Sequence, residues 1–424
     1  MKKVLAIIMA GGRGQRLMPL TKRRSKPSIP FGGIYLLIDI TLSNCINSQI
    51  YKIAVLPQYK GQTLMEHLDA GWNIFSRALG HYLKVLPPQQ QLGDMWYRGT
   101  ADSIRQNIHL LNQDDIELVL VLSGDHVYKM DYRLFAGYHR GKGAVVTVGV
   151  IEVDKKMASR YGIIEVDSNF RVVGFEEKPE HPKTLPGDPD KSLASMGVYL
   201  FDISTLKDVL ANTDGMDFGK DILPGVLHEV PVFAYPYKME NRIEEIIHVT
   251  DEATGKRAAR LIDRARDSAY WRDVGDLDSY WNANMDLTGV DPYFNLYGQK
   301  WPVRTFQKQY PPAKMVFASE AEDPPRAGKA LDSLVSHGCV LSGSVVRNSV
   351  LSYNVVVQSW SLVEESVVME DVVIGRNCRI KKAIIANQTR VPANTHIGMD
   401  LAEDRKRFTV TPRGIVVVDR DDFA

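Results

Sequence analysis

The sequence predicts an α/β protein in two parts: a Rossmann-like, mixed but mostly parallel sheet domain, followed by a left-handed parallel β-helix. Three observations carry that expectation. Short apolar runs alternate with helical patterns through the first half of the chain, as they do in βαβ units packed on both faces of a parallel sheet. Six prolines (Pro292, Pro302, Pro311, Pro312, Pro324 and Pro325) then fall between Asp286 and Leu331 and mark an extended connection. Beyond it an aliphatic residue recurs every six positions. That period fits neither a helix nor a simple strand, but it matches a hexapeptide solenoid in which each six residues form one flat side of a coil. The expected bounds are 1–285 for the sheet domain, 286–330 for the linker and 331–424 for the β-helix.

In chain order, the first strand is Val4–Ala10. Its apolar stretch is seven residues long and runs into glycines and an arginine, so it reads as a buried strand rather than a signal peptide. A helical Asp39–Ser48 leads to a strand at Lys52–Leu56, and a helical Ala101–Leu111 leads to another at Glu117–Leu122. Ala144–Val150 is a fourth strand, and the shorter, turn-flanked Arg171–Glu176 and Met196–Phe201 suggest antiparallel additions. Met239–Ser268 is dense in charge and reads as a solvated insertion, mobile or helical. In the last part, Val350, Val356, Leu362, Val368, Ile374 and Ile380 hold the six-residue phase, and after a slip of one Ile385, Val391 and Ile397 follow.

Composition narrows the function. A chain of 424 residues implies two or three domains. With 52 basic against 51 acidic residues the net charge is +1, which argues against a general nucleic-acid binder. Cys45, Cys339 and Cys378 are too few for a disulfide framework or a four-thiolate zinc site, so a reducing cytoplasm is expected. No apolar run approaches the roughly 18 residues that span a membrane.

Against this balanced background, Arg13, Arg16, Lys22, Arg23, Arg24 and Lys26 gather without an acid between them. They surround Gly11-Gly12-Arg13-Gly14-Gln15-Arg16-Leu17, directly after the first strand. Glycines there let backbone amides approach a phosphate, and a following helix would add its dipole. Leu17 at the third glycine position excludes a dinucleotide fingerprint, and the lack of Gly-Lys-Ser/Thr excludes a P-loop. Asp125 follows an apolar strand at its carboxyl end, where open α/β sheets bind ligands. Asp273 stands in a turn flanked by Trp and Gly. Two carboxylates converging from distant segments suit Mg²⁺, which takes oxygen ligands and substrate phosphates, although an aspartate in Gly124-Asp125-His126 could equally be a turn former.

The glycine loop followed by Lys26-Pro27 resembles the signature of the sugar-1-phosphate nucleotidyltransferases. Further strings narrow it: Pro30-Phe31-Gly32-Gly33, Leu42-Ser43-Asn44-Cys45, Trp96-Tyr97-Arg98-Gly99-Thr100-Ala101-Asp102, Gly124-Asp125-His126, Glu177-Lys178-Pro179, Ser195-Met196-Gly197, Asp217-Phe218-Gly219-Lys220-Asp221 and Trp271-Arg272-Asp273-Val274-Gly275. Together they resemble the bacterial glucose-1-phosphate adenylyltransferase family, to about Arg413. The resemblance implies ATP and glucose 1-phosphate as substrates, Mg²⁺ on Asp125 and Asp273, and Arg16 and Lys26 as the catalytic cations on the nucleotide phosphates. It implies ATP contacts at Gly11, Gly12, Arg13, Gly14, Gly99 and Thr100, with Gln89 and Gln90 toward the base. It places glucose 1-phosphate on Tyr97, Gly162, Glu177, Lys178 and Ser195, with Lys220 and Asp221 nearby. It also implies a homotetramer and metabolite effectors.

The sequence departs from that family at four positions. Ile34 and Leu36 stand where Lys and Arg are usual, Gln91 where Arg is frequent, and Gln15 where Thr is. The first two positions belong to the effector site of regulated members, and aliphatic side chains there cannot neutralise a phosphate. Two alternatives remain open at this level: a relative using another nucleotide, and a regulatory subunit with little turnover. Acyl transfer by the solenoid is disfavoured, because that region offers only His337 and His396.

Overall fold

The computed structural model describes residues 1–423 except 89–95, 186, 228, 252 and 322–324. Apart from a short pair, Pro30–Phe31 with Tyr35–Leu36, its first domain is built on thirteen strands among the described residues: β1 Val4–Ala10, β2 Lys52–Pro57, β3 Tyr82–Val85, β4 Leu118–Ser123, β5 His126–Tyr128, β6 Val146–Asp154, β7 Gly162–Val166, β8 Val172–Glu177, β9 Lys191–Asp202, β10 Val232–Pro236, β11 Glu245–Thr250, β12 Arg257–Ile262 and β13 Trp271–Asp273. Nine of them form one sheet in the order β8-β7-β9-β4-β1-β2-β3, with β6 joined to β9 and β10 joined to β6. β1 lies parallel between β2 and β4; β9 enters antiparallel beside β4. The alternation of a strand sends Val4, Ala6, Ile8 and Ala10 into one core and Leu5 and Ile7 into the other. Burial on both faces is why this run reads as continuously apolar.

The helix over Leu37–Asn47 fits the expected segment, and its Asp39 is fully buried. That carboxylate accepts from the Leu36 amide at 2.8 Å, Trp72 Nε1 at 2.9 Å and Thr305 Oγ1 at 2.6 Å. The helical stretch expected over 101–111 is divided: an α-helix Thr100–Gln106 gives way to a 3₁₀ turn Ile108–Leu111. Asn107 sits at the break, and its side chain donates to Ser103 O at 2.9 Å, competing with the helical ladder.

The charged insertion is neither helical nor unstructured. β11 and β12 form a solvent-exposed antiparallel hairpin that pairs with no other strand among the described residues. Ile247, Val249, Ala258 and Ala259 within it carry the β-branched and small residues of a two-stranded ribbon, and the charge density masked that alternation.

The solenoid consists of three stacked faces of parallel strands, closing into a left-handed β-helix. Val356 pairs with Val373, Leu362 with Arg379 and Val367 with Ile384, a step of 17 residues each time. The fully inward residues are Leu351, Val357, Val363, Val368, Ile374, Ile380, Ile385, Val391 and Ile397. Val356 and Leu362, taken from the sequence as inward, are half-buried, one residue ahead of the true inward position. The phase slip therefore recurs in each of these 17-residue coils, because one side of the triangle uses five residues. The first solenoid strand, Lys314–Val316, pairs with Val340–Ser342 and lies inside the stretch expected to be linker. The two domains share an apolar core in which Leu17, Phe31 and Tyr280 meet Val367, Ile384 and Val417. Trp281 Nε1 donates to Glu365 O at 2.8 Å across the same junction.

Candidate active site

The site forms at the carboxyl ends of β1 and β4, where parallel strands leave a crevice. After β4 the chain turns through Gly124 and Asp125 into β5, which runs antiparallel to β13 with His126 opposite Asp273. This short ladder brings together two aspartates far apart in sequence. Lys26, buried at the start of a 3₁₀ turn, reaches between them: its Nζ lies 2.6 Å from Asp125 Oδ2 and 3.5 Å from Asp273 Oδ1. Ser123 also donates to Asp125. Burial alone would raise the Asp125 pKa, but Lys26 and His126 hold it well below the usual carboxylate range. Burial likewise opposes the charge on Lys26, and the two aspartates outweigh it, so its pKa is raised.

Gly14 in the loop has φ +61°, the left-handed region that favours glycine, and Thr21 Oγ1 closes the turn on Gly14 O at 2.8 Å. A methyl on Gly12 would meet nothing within 4 Å, so its backbone faces open space. The helix expected after the loop is a single 3₁₀ turn, Gln15–Leu17, too short to supply a macrodipole. The six clustered cations also divide. Arg23 forks onto Asp419 and Asp421 near the carboxyl terminus, and Lys22 joins it at 2.5 Å from Asp421. Arg24 is turned inward near Ser28 O, and burial lowers its pKa. Three basic residues, Arg13, Arg16 and Lys26, remain for the crevice. Arg16 lies near Asp273: a methyl built on Gly275 would stand 2.8 Å from Asp273 Oδ2 and 3.2 Å from the guanidinium.

Gly11 and Arg13 line a cavity of about 400 Å³ with Gln58, Tyr59 and Trp96. Sequence reasoning did not assign Gln58, Tyr59 or Trp96 to the site. Gln58 and Tyr59 directly follow β2, at the carboxyl end of a strand beside β1, and that position could have flagged them. Gly99 and Thr100 dock on the 216–218 turn: Ala101 N donates to Met216 O at 2.8 Å, and Phe218 N to Thr100 Oγ1 at 2.9 Å. Gln89 and Gln90 lie outside the described residues.

The far side of the crevice holds the remaining candidates. Glu177 ends β8 opposite Gly162, and a methyl on Gly162 would sit 2.5 Å from the Phe175 ring and 2.8 Å from Glu177 Oε2. Lys178, half exposed, pairs with Glu177. Ser195 lies where the β9–β6 register shifts; its hydroxyl is 3.3 Å from Tyr199 OH. Tyr97 is tied to both the core and the cavity wall. It is buried, its hydroxyl donates to Leu86 O at 3.0 Å and accepts from Asn107 Nδ2 at 2.8 Å, and its backbone carbonyl accepts from Gln58 at 2.6 Å. Asp221 is spent on the Met216 and Asp217 amides.

Among the described residues no group of three or more His, Cys, Asp or Glu side chains could hold a metal by itself. Two half-buried carboxylates sharing a single cation keep a net negative charge, which a hard divalent ion with substrate oxygens would complete.

A glycine loop on the first strand, a cationic crevice and a paired-carboxylate centre define a phosphoryl-handling transferase domain joined to a hexapeptide solenoid. Residues 5–289 match the Nucleotidyl transferase family and residues 311–418 match the GlmU-like, C-terminal hexapeptide family; the chain belongs to the nucleotidyl transferase family. It is 44% identical to a glucose-1-phosphate adenylyltransferase of Rhodopirellula baltica, over 100% of this chain and 91% of the relative. It is 45% identical to one of Methylococcus capsulatus, over 99% and 94%, and 46% identical to one of Shewanella sp. strain MR-4, over 99% and 95%. No described helix is long and apolar enough to cross a membrane.

Proposed function

We propose that the chain is a glucose-1-phosphate adenylyltransferase, joining ATP and glucose 1-phosphate into ADP-glucose and diphosphate for α-glucan synthesis. The observation that carries this is the Asp125–Lys26–Asp273 cluster at the foot of the glycine loop. Asp125 and Asp273 would hold Mg²⁺, whose chemistry is to neutralise the phosphate charge that builds during transfer. The glycine loop and Arg13 receive the triphosphate. Arg16, with its planar fork, and Lys26, as a point charge, bind its oxygens. Lys26 serves two sets of anions: it leaves the carboxylates for the phosphates when nucleotide arrives. Lys178 and Glu177 read the phosphate and hydroxyls of the sugar, presenting a phosphate oxygen in line with the α-phosphorus. No protein side chain forms a bond to substrate. Orientation and charge neutralisation carry the rate, and orientation alone is worth roughly 7–11 kcal/mol.

The retained cluster favours turnover over a silent regulatory role. The three free, buried cysteines favour the cytoplasm; the need of a solenoid to cover its strand edges and coil ends favours a partner, and the family resemblance makes that partner further copies of this chain in a homotetramer. The test is pure protein with Mg²⁺, glucose 1-phosphate and each of the four nucleoside triphosphates. Diphosphate release with ATP well above the others supports the reading; preference for another nucleotide, or no release, overturns it.

A further inference from the structure

We propose that His126 is a positioning residue for the paired carboxylates: its Nε2–H holds Asp125 and Asp273 at the spacing a divalent cation requires. The inference rests on reading those aspartates as metal ligands and goes beyond it, by giving a role to a side chain that no step above uses.

The ring is fixed on its apolar sides. Trp271 packs against it edge to face, with centroids 5.2 Å apart and planes at 76°. On another side Gly197, at φ +67°, brings its backbone close; a methyl there would lie 3.6 Å from His126 Cε1. Nδ1 is sealed from solvent and has no hydrogen-bond partner. The ring's polar outlet is therefore Nε2, which stands 3.6 Å from Asp125 Oδ1 and 3.7 Å from Asp273 Oδ1. Equal reach to one oxygen of each carboxylate decides the tautomer. A proton on Nε2 faces two acceptors, whereas a proton on Nδ1 would be buried without one and would turn a lone pair on two anions. These separations exceed a hydrogen bond, so the attraction is electrostatic, and it tightens as the carboxylates close on a cation.

His126 complements Lys26. Lys26 reaches the carboxylates on a long arm that the nucleotide phosphates also claim. His126 belongs to the β5–β13 ladder that carries both aspartates, directly opposite Asp273, and stays with them when Lys26 departs. Partners that orient metal ligands without touching the metal typically contribute about 10- to 100-fold in metal affinity.

The test compares His126→Gln, whose amide NH₂ can reach the Nε2 position, with His126→Phe, which keeps the packing on Trp271 and loses the donor. Mn²⁺ binding is measured by electron paramagnetic resonance in the presence of a non-reactive α,β-methylene ATP analogue and no sugar phosphate, so nothing turns over. The expected result is about 10-fold weaker Mn²⁺ binding in His126→Phe and no more than about 2-fold in His126→Gln. The Mg²⁺ concentration for half-maximal rate should rise in parallel, with an unchanged KM for glucose 1-phosphate. Equal losses in both variants, or no loss in either, overturn the proposal. Asp125→Asn measured alongside separates the two readings: unchanged Mn²⁺ binding in that variant defeats the metal assignment itself, whereas its loss without a difference between Phe and Gln defeats only the role of His126.

Discussion

At the scale of single residues, charge in the crevice decides what each substitution does. Asp125→Asn removes one carboxylate from the proposed metal centre. Its kcat should fall by about 10²- to 10³-fold, on the scale of deleting a preorganised electrostatic contact, with the fold intact by circular dichroism. Unchanged turnover would remove Asp125 from the chemistry. The same pair sets a pH dependence. Asp125 is depressed below its ordinary 3.8, so its contribution to stability is present above that value and lost as pH falls through it and below. Lys26 is raised above 10.5, so its contribution is present below that value and lost as pH rises through its higher folded one. Between these limits both operate. The stability gap between the parent and Asp125→Asn, measured by urea unfolding, should therefore be widest near neutrality and narrow progressively below about pH 4. Lys178 is half exposed and touches neither aspartate. Lys178→Gln should raise the KM for glucose 1-phosphate by about 10- to 100-fold, the range of one charge-assisted hydrogen bond, and leave that for ATP nearly unchanged. A defect selective for ATP would contradict the assignment.

At the scale of elements, the sequence made some features legible and hid others for identifiable reasons. β1, buried on both faces, could be placed to the residue, because nothing but a covered strand tolerates Val4–Ala10 ahead of a glycine turn. Asp125 and Asp273 stood out in their motifs, yet their meeting depends on β5 pairing with β13, a contact across more than a hundred residues that no local pattern encodes. The cations of residues 13–26 looked like one anion site because composition cannot reveal that Asp419 and Asp421 return from the carboxyl terminus to occupy Lys22 and Arg23. Tyr97 stands in a site motif, and its ring is also part of the core with Ala101 and Ile104, a packing role that the motif alone does not display. The β8–β7 pairing supports a prediction of its own. Gly162→Ala places a methyl 2.5 Å from the Phe175 ring and 2.8 Å from Glu177 Oε2, so the pair must give way where Glu177 is proposed to read the sugar. The KM for glucose 1-phosphate should rise about 10-fold with that for ATP unchanged. A parallel rise in both would mean that the strain spreads into the glycine loop.

At the scale of the whole molecule, the junction of the two domains bears on regulation. A cavity of about 330 Å³ opens there, between Ile34, Leu36 and Phe306 on one side and the solenoid's Tyr353 and Glu370 on the other. Its basic side chains are already committed: Lys308 to Glu370, the His67 ring to buried Asp39 at 2.7 Å, and Arg24 to its inward position near Ser28 O. A sugar bisphosphate entering this space would have to displace those partners and lay a phosphate against two aliphatic side chains, and an uncompensated buried anion is strongly disfavoured. Fructose 1,6-bisphosphate should therefore change the initial rate by less than about 2-fold at saturating substrates. Ile34→Lys combined with Leu36→Arg supplies two uncommitted cations at the same wall, and should give measurable binding of that ligand by calorimetry where the parent has none. Strong activation of the parent, abolished by substitutions at this wall, would defeat the argument, because it would require the pocket to recruit Lys308 or Arg24 away from the contacts they make here.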